Sequence, residues 1–326
     1  MNQPNAGTTV PRTVTETDIV TFACLTGDYS RMHMDRHYAE GLEYGGRVAH
    51  GLISASLAIG ALALDAPHTV GHGDARAFVR TFDVNYRRPV LLGDTLQVHW
   101  NIVSGAPEPS HDALTTAYRI ENQRGAAVTD GTVLLDRSGR WQPDPSVAPL
   151  SLPERATAGN DALHIEDLVP GVYGGETMGR TMTEADVVNF AGFTGDWHPG
   201  YVDDAFAKRG LFGERVVPQM LCFNIGFAFW IRALVGAALD TAFAGHVHDQ
   251  WTLVRPVRIG DTVRCRYGAL EVRKSRSRPG FGLTTFALQL VNQHDQVVQQ
   301  SRVIMMYPSR STNVGSASAG RSARGR

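Results

Sequence analysis

The 326-residue chain is poor in cysteine and almost neutral, and both features narrow the kinds of protein it can be. A net charge of −1 creates no field that would recruit nucleic acid or an anionic membrane. The first residues lack a basic stretch followed by an apolar core, so no secretion signal is predicted. Motifs for nucleotide phosphates or a nucleophilic serine (GxGxxG, the P-loop, GxSxG) are also absent. The cysteines form no CxxC pair, and we predict three reduced, buried thiols in a cytoplasmic protein: Cys24, Cys222 and Cys265.

Two long apolar runs, residues 48–66 and 216–238, could suggest membrane helices. The first run contains His50, and the second contains Asn224 and Arg232. Both runs also precede strand-like sequence at equivalent places in the chain. We therefore predict that each forms a helix buried on most of its faces inside a globular domain.

The chain is rich in internal repetition. Residues 14–35 read VTETDIVTFACLTGDYSRMHMD, and residues 182–203 read MTEADVVNFAGFTGDWHPGYVD, at an offset of 168 residues. A stretch with a Pro-Val pair and a Gly-Asp-Thr turn also recurs, in residues 82–100 and 251–267, at an offset of 167. A slippage of one residue over that distance predicts two domains with the same fold and one small change in a loop.

Each repeat has the same order of predicted elements. A Thr-x-x-Asp cap, at Thr15 and again at Thr183, begins a short helix. A Gly-Asp loop, the long apolar helix and several strands of alternating apolar residues follow. One long helix against antiparallel strands indicates an α+β fold. The predicted units are an N-terminal domain (1–141), a linker (142–165), a C-terminal domain (166–308) and a disordered tail (309–326).

Asp28 and His33 stand five residues apart in a loop that begins at a glycine. A carboxylate and an imidazole turned toward one water can hold it by two hydrogen bonds and move a proton at neutral pH. Gly51 opens the first long helix, where a free backbone N–H at the positive end of the dipole can stabilise an oxyanion. The Asp-His spacing alone also fits an aspartate that caps a turn, but the ordered combination favours a catalytic site.

These residues resemble the MaoC-type hydratases and dehydratases, a hot-dog fold family that includes (R)-specific enoyl-CoA hydratases. The family pattern is Gly-Asp-x-Asn-Pro-x-His-x-Asp, followed by Phe/Tyr-Gly-x-x-Ile/Val-x-His-Gly. Here residues 27–35 read GDYSRMHMD and residues 44–51 read YGGRVAHG. The resemblance covers about residues 10–140 and 168–308. It implies two tandem hot-dog domains, each a long helix wrapped by an antiparallel sheet, packed as an internal pseudo-dimer.

The resemblance also implies a reaction, the reversible addition of water across the C2–C3 double bond of an enoyl thioester. The thioester is expected on CoA or on an acyl carrier protein. The family's catalytic aspartate and histidine correspond to Asp28 and His33, and its oxyanion-binding amide corresponds to Gly51. No metal or other cofactor is implied, because the thioester itself acidifies the α carbon. Further substrate contacts are expected from Ser30, Arg31 and His50.

Arg31 leaves two interpretations open. The family's Asn-Pro is Ser30-Arg31 here, and Ser30 can still hydrogen-bond locally. Arg31 is either a solvated surface residue or a contact for a CoA phosphate or a substrate carboxylate. The second interpretation would suit a dicarboxylic acyl-CoA of the mesaconyl type.

The second repeat is predicted to hold a degenerate site. It keeps Asp196 but has Tyr201 in place of the histidine and Gln219 in place of the oxyanion glycine. Tyrosine is a poor base at neutral pH, and a side chain at Gln219 would crowd the thioester. His198 occupies the position of the family's asparagine. Large aromatic residues of the second long helix are expected to pack the core or else to shape the acyl pocket: Phe223, Phe227, Phe229 and Trp230.

Several other interpretations remain. A hot-dog thioesterase is the nearest alternative enzyme, and a non-catalytic acyl-thioester binding protein is the alternative from another class. His246-x-His248, and His33 with His37, have histidine spacings found in metal sites, but no completing carboxylate or cysteine is recognisable, so we predict no metal. Association of the chain into a further homodimer is left open.

Overall fold

A computed structural model describes residues 4–105, 112–141, 164–235 and 245–312. Most of the predicted linker and tail, residues 142–163 and 313–326, lies outside these ranges. No helix within the described ranges is both long enough and apolar enough to cross a membrane.

Within its described residues, 4–105 and 112–141, the first repeat has four helices and six strands. A 3-10 turn at Pro67–Thr69 follows its long helix. In chain order the elements are β1 (Ala6–Thr8), β2 (Arg12–Thr13), α1 (Glu16–Thr26), α2 (Arg31–Met34), α3 (Arg36–Glu40), α4 (Gly51–Asp65), β3 (Phe78–Tyr86), β4 (Thr95–Ser104), β5 (Ala113–Asn122) and β6 (Ala127–Asp136).

The second repeat has the same order of elements. It is preceded by a 3-10 turn at Ile165–Asp167. Its elements are β7 (Gly174–Glu176), β8 (Arg180–Thr181), α5 (Glu184–Thr194), α6 (Pro199–Val202), α7 (Asp204–Ala207), α8 (Gln219–Val235), β9 (Gly245–Leu253), β10 (Thr262–Lys274), β11 (Phe281–Val291) and β12 (Val297–Pro308).

The strands of the two repeats form one antiparallel sheet. Its order is β1-β4-β5-β6-β3-β9-β12-β11-β10-β7, with β2 beside β4 and β8 beside β10. The repeats meet where β3 pairs with β9, and Phe82 lies opposite Trp251 in this seam. The second half of the order mirrors the first. The predicted α+β fold and internal pseudo-dimer are therefore confirmed, while the predicted domain limits remain predictions.

The short helices begin as their sequences predict. The Thr15 hydroxyl accepts the N–H of Asp18, and the Asp18 carboxylate accepts the N–H of Thr15. Thr183 and Asp186 form the same reciprocal cap at the start of α5. Each cap satisfies backbone donors that the first helical turn leaves free, which fixes where the helix begins.

The long helices α4 and α8 are buried along most of their length, as predicted. Gly60 of α4 lies against the end of α5, where a side-chain Cβ would stand only 1.8 Å from the carbonyl oxygen of Thr194. The side chains of the two long helices also meet, because the Asn224 amide donates to the Ser56 hydroxyl at 2.8 Å. The two repeats are thus joined through their helices as well as through the sheet.

The cysteine prediction is wrong for Cys24. Cys222 and Cys265 are buried, but Cys24 is exposed, and all three are free thiols. Cys24 lies one helical turn after Val20, which is also exposed, while Phe22 faces the core. The helical period therefore places Cys24 on the solvent side of α1.

Candidate active site

A left-handed glycine positions Asp28. Gly27 ends α1 with φ of +89°, and its N–H donates to the Ala23 carbonyl at 2.8 Å. This reversal carries Asp28 into the protein, where it is only 6% exposed. Ser30 donates its N–H and its hydroxyl to Asp28 Oδ1 at 3.1 and 2.6 Å. The predicted local hydrogen bonding of Ser30 is therefore directed at the carboxylate.

His33 lies on the four-residue helix α2 rather than in the loop itself. Its Nδ1 is 2.8 Å from the carbonyl oxygen of Val48. A carbonyl oxygen can only accept, so Nδ1 carries the proton. The neutral ring consequently keeps its lone pair on Nε2, which is the form that a general base requires.

His50 joins the two parts of the site. Its ring stacks on that of His33 with centroids 3.9 Å apart, and its Nε2 donates to the main-chain carbonyl of Asp28 at 2.9 Å. Its Nδ1 is buried and has no hydrogen-bond partner among the described residues. Because Gly51 follows it directly and begins α4, His50 fixes the helix start beside the Asp-His pair. Its contact with substrate remains a prediction.

The electrostatics of the site favour one carboxylate and two neutral imidazoles. Burial raises the pKa of Asp28, but attraction to His50 and His33 and the hydrogen bonds from Ser30 bring this pKa below its ordinary value. Burial lowers the pKa of His33 and outweighs the opposing effects of Asp28 and of its hydrogen bond to Val48. Burial, and then repulsion from His33, lower the pKa of His50 to about 3.

Asp28, His33 and His50 also form the one group of metal-ligand type among the described residues. Their ligand atoms all lie within 4.8 Å of one another. One nitrogen of each imidazole is already held by a carbonyl oxygen, which leaves His33 Nε2, His50 Nδ1 and the carboxylate. His246 and His248 hydrogen-bond two different aspartates. That the protein needs no metal stays a prediction.

Gly51 is the first residue of α4, as predicted, and its N–H is one of the free donors of the first turn. The space beside its Cα is narrow. A Cβ there would lie 3.3 Å from His246 Nδ1 and 3.3 Å from Tyr86 Cε1. His246 belongs to the second repeat, so both repeats contribute to this region. No local pattern in the sequence predicts that His246 lies here.

Arg31 is engaged with its own surroundings. Its Nε and Nη2 donate to Asp35 Oδ2 at 3.1 and 2.9 Å, and its guanidinium lies 4.3 Å from the Tyr38 ring centroid. Its side chain is 38% exposed. These contacts favour the interpretation of Arg31 as a surface residue, and its contact with substrate stays a prediction.

The corresponding site of the second repeat is occupied by the protein's own side chains. The Tyr201 hydroxyl donates to Gln219 Oε1 at 2.5 Å. Asp196 Oδ1 is 3.1 Å from His72 Nε2, a residue of the first repeat that sequence analysis missed because only the fold brings it here. The His198 ring accepts a backbone N–H at Nδ1 and donates to a carbonyl from Nε2. A cavity of only about 30 Å³ remains between Tyr201 and Gln219 and their neighbours.

The proton states of this second site also differ from those of the first. Burial and the nearby Asp196 hold the pKa of Tyr201 well above its ordinary value. Burial lowers the pKa of His198 to about 4 against the attraction of Asp196. Tyr201 therefore stays protonated at neutral pH, and its interpretation as a replacement that removes the chemistry stays a prediction.

The aromatic residues of α8 pack the core, and all four are less than 10% exposed: Phe223, Phe227, Phe229 and Trp230. Phe227 also contacts the first site, because its ring stacks on His246 with centroids 4.8 Å apart. The core interpretation of these residues is favoured, and a role for Phe227 beside the acyl group remains a prediction.

Comparison with curated sequences finds relatives with named activities. The chain is 28% identical over 132 residues to a 3-hydroxybutyryl-CoA dehydratase from Methylorubrum extorquens, a match that covers 40% of this chain and 78% of the relative. It is 33% identical over 100 residues to an (R)-specific enoyl-CoA hydratase from Rhodospirillum rubrum, covering 31% of this chain and 65% of the relative.

Solved structures resemble the whole chain in fold. A protein from Mycobacterium tuberculosis described as a double hotdog fold superimposes with a TM-score of 0.66 at 16% identity, covering 93% of this chain and 96% of that one. A MaoC-like dehydratase from Phytophthora capsici gives a TM-score of 0.58 at 15% identity, over 94% and 96% of the two chains. The predicted tandem hot-dog architecture is thus confirmed.

The family model for the MaoC-like domain matches the chain twice, over residues 3–118 and 174–303. The first match contains Asp28, His33 and Gly51, and the second contains the corresponding Asp196, Tyr201 and Gln219. The two matches together span most of the chain, and the protein belongs to the MaoC-like dehydratase family, with two such domains in tandem.

Proposed function

We propose that the protein is a hydro-lyase that adds water reversibly to the C2–C3 double bond of an enoyl thioester. The observation that carries this proposal is the burial of Asp28 and His33 together, with ligand atoms within 4.8 Å of each other and with His33 Nε2 left free because Nδ1 bonds to the Val48 carbonyl. The names of the two curated relatives support an acyl-CoA substrate and an R-configured 3-hydroxy product. An acyl carrier protein as thioester carrier is the alternative.

Asp28 and His33 would hold the attacking water between them. Asp28 Oδ1 is occupied by Ser30, which leaves Oδ2 to accept one water hydrogen, while His33 Nε2 accepts the other. Asp28 or His33 takes a proton from the water as the water oxygen bonds to C3. A proton is then delivered to C2, so that one water has been added and the two active-site groups return to their starting states.

Gly51 would stabilise the charge that this attack creates. As the C3–O bond forms, negative charge moves onto the thioester oxygen. The free Gly51 N–H stands at the positive end of α4, a 15-residue helix, and can donate to that oxygen. The absence of a side chain at Gly51 lets the thioester approach the backbone closely.

The proposal is tested by incubating the full-length protein with crotonyl-CoA and following both the enoyl-thioester absorbance and free thiol. Loss of absorbance without thiol release supports a hydratase, and chiral analysis of the product tests the R configuration. Release of thiol would indicate a thioesterase. Binding without either change, across a panel that includes longer, branched and dicarboxylic enoyl-CoAs, would indicate a binding protein.

The proposal also includes the cellular location of the enzyme and its assembly state. A cytoplasmic location follows from the interpretation of its cysteines as reduced thiols. The pseudo-dimer that the chain forms internally would supply the paired arrangement that hot-dog domains need. Light scattering of the purified protein would show whether a further homodimer forms.

A further inference from the structure

A buried polar cluster crosses the seam between the two repeats. Tyr86 on β3 donates its hydroxyl to Asp249 Oδ2 at 2.9 Å, and His246 Nε2 is 2.7 Å from Asp249 Oδ1. Asp249 is 0% exposed. Burial, reinforced by Asp249, keeps the pKa of Tyr86 well above its ordinary value, so its hydroxyl is a donor. Asp249 therefore receives two hydrogen bonds, and the His246 nitrogen that faces it carries a proton.

The other nitrogen of His246 is directed at the first site. His246 Nδ1 would lie 3.3 Å from a Cβ on Gly51, and it has no hydrogen-bond partner among the described residues. The ring is held in place from both sides, by Tyr86 at 4.2 Å and Phe227 at 4.8 Å between centroids. A fixed imidazole thus presents one unused nitrogen beside the amide proposed to bind the thioester.

The chain supplies its own comparison for this cluster. At the offset of 167 residues that relates the two sheets, each polar residue has an apolar counterpart in the other repeat. The pairs are Tyr86 with Leu253, His246 with Val79, and Asp249 with Phe82. Val79 lines the small cavity of the degenerate site. It therefore occupies the same place beside the second site as His246 occupies beside the first.

The difference between the polar cluster and its apolar counterparts indicates the role of the cluster. Burying a carboxylate and an imidazole is unfavourable unless each is paired, and apolar residues of similar size fill such positions at no such cost. The surroundings of the second site show that apolar residues can fill the equivalent positions of the seam: Leu253 from the second repeat, and Val79 and Phe82 from the first. At these positions the polar residues lie beside the site that keeps Asp28 and His33, and the other site has apolar ones. The polar cluster therefore fits a role in ligand recognition better than a role in packing.

We propose that His246, oriented by Asp249 and Tyr86, is a specificity-determining residue that the second repeat contributes to the first site. Its Nδ1 hydrogen-bonds an oxygen substituent on the acyl chain, away from the reacting carbons, so the site selects such thioesters over plain alkyl ones. The inference rests on the proposed function for the identity of the thioester ligand. A hydroxyl can pair with either protonation state of His246, whereas a carboxylate requires Nδ1 to carry a proton.

The test measures binding rather than turnover. Calorimetry of the full-length protein compares butyryl-CoA with 4-hydroxybutyryl-CoA and succinyl-CoA, three saturated thioesters that cannot be hydrated. We expect at least one oxygen-bearing probe to bind about tenfold more tightly than butyryl-CoA, the effect of one added hydrogen bond. Which probe does so separates a hydroxyl from a carboxylate.

Two variants locate the effect. His246→Val, which installs the residue found at Val79, should abolish the tenfold preference, and Asp249→Asn, which alters the orientation of His246, should reduce it. His248→Val is the matched control: His248 lies on the same strand but hydrogen-bonds Asp83, and this variant should keep the preference.

No preference in the wild type, or a preference that survives in His246→Val, would overturn the inference. If the protein hydrates crotonyl-CoA but binds the three saturated thioesters equally well, this inference is wrong and the proposed function stands. If the protein prefers an oxygen-bearing thioester but hydrates no enoyl-CoA, the proposed function is wrong and this inference stands.

Discussion

Replacing Gly51 by alanine separates the role of this position in catalysis from its role in folding. The new Cβ would lie 3.3 Å from both His246 Nδ1 and Tyr86 Cε1, slightly closer than ordinary van der Waals contact. These neighbours need to move by only a few tenths of an ångström, which costs about 1 kcal/mol. The greater helix preference of alanine over glycine returns up to about 1 kcal/mol. The free energy of unfolding should therefore change by less than about 1 kcal/mol.

Catalysis should respond far more strongly to the same methyl group. It occupies the space through which the thioester must approach the Gly51 N–H, and loss of one oxyanion donor lowers the rate about 100-fold or more. Steady-state hydration of crotonyl-CoA measures kcat/KM, and thermal unfolding confirms that the variant is folded. Gly46→Ala is the control, because a Cβ there meets no atom within 4 Å. A folded Gly51→Ala protein with kcat/KM within threefold of wild type would refute the assigned role.

Three further predictions follow from the geometry. The first concerns the pH dependence of hydration. The base His33 must be neutral, its pKa lies below the ordinary 6.5, and Asp28 ionises more readily than usual, so kcat/KM should stay level down to pH 6.5 and fall only below it. A fall of kcat/KM centred above pH 6.5 would contradict this. His50 has a folded-state pKa of about 3, so between pH 6.5 and about 3 the unfolded chain binds the extra proton and stability falls as pH falls. The contribution of His50 to the loss from pH 7 to 5 should be roughly 2 kcal/mol in urea unfolding, so His50→Gln should lose about that much less than the wild type over this range; an unchanged pH dependence in that variant would count against the assignment. Gly60→Ala would place a Cβ 1.8 Å from the carbonyl oxygen of Thr194 and should lower the free energy of unfolding by about 3 kcal/mol or more. Urea unfolding measures this loss, and a stability close to that of the wild type would disprove the prediction.

Local sequence signals predicted much of this structure. The Thr15 and Asp18 cap, the left-handed Gly27 and the helix start at Gly51 each depend on residues close in the chain. The repeat supplied the rest of the architecture, since two copies of one unit predict the same fold twice. Ser30 could likewise be predicted to bond locally, because hydroxyl side chains commonly accept or donate within two residues.

Contacts made across the repeats could not be predicted in this way. His72 reaches Asp196 over 124 residues, and His246 lies beside Gly51 because β9 pairs with β3. His72 belongs to no motif, and the spacing His246-x-His248 suggested a metal ligand rather than a position beside Gly51, so the sequence offers no local signal for either contact. The exposure of Cys24 was mispredicted for a different reason, since general burial preference was applied where the helical period decided the outcome.

The central claim is that the first copy of the duplicated site performs the chemistry and the second does not. Asp28→Asn and Asp196→Asn form a matched pair, and in the first variant Asn Oδ1 can still accept from Ser30, so the loop keeps its structure while the charge is lost. The deciding measurement is the kcat/KM of both folded variants for hydration of an enoyl-CoA that the wild type accepts. We predict a loss of about 100-fold to 10,000-fold for Asp28→Asn and less than threefold for Asp196→Asn. Retained activity in Asp28→Asn, or an equal loss in both variants, would contradict the account.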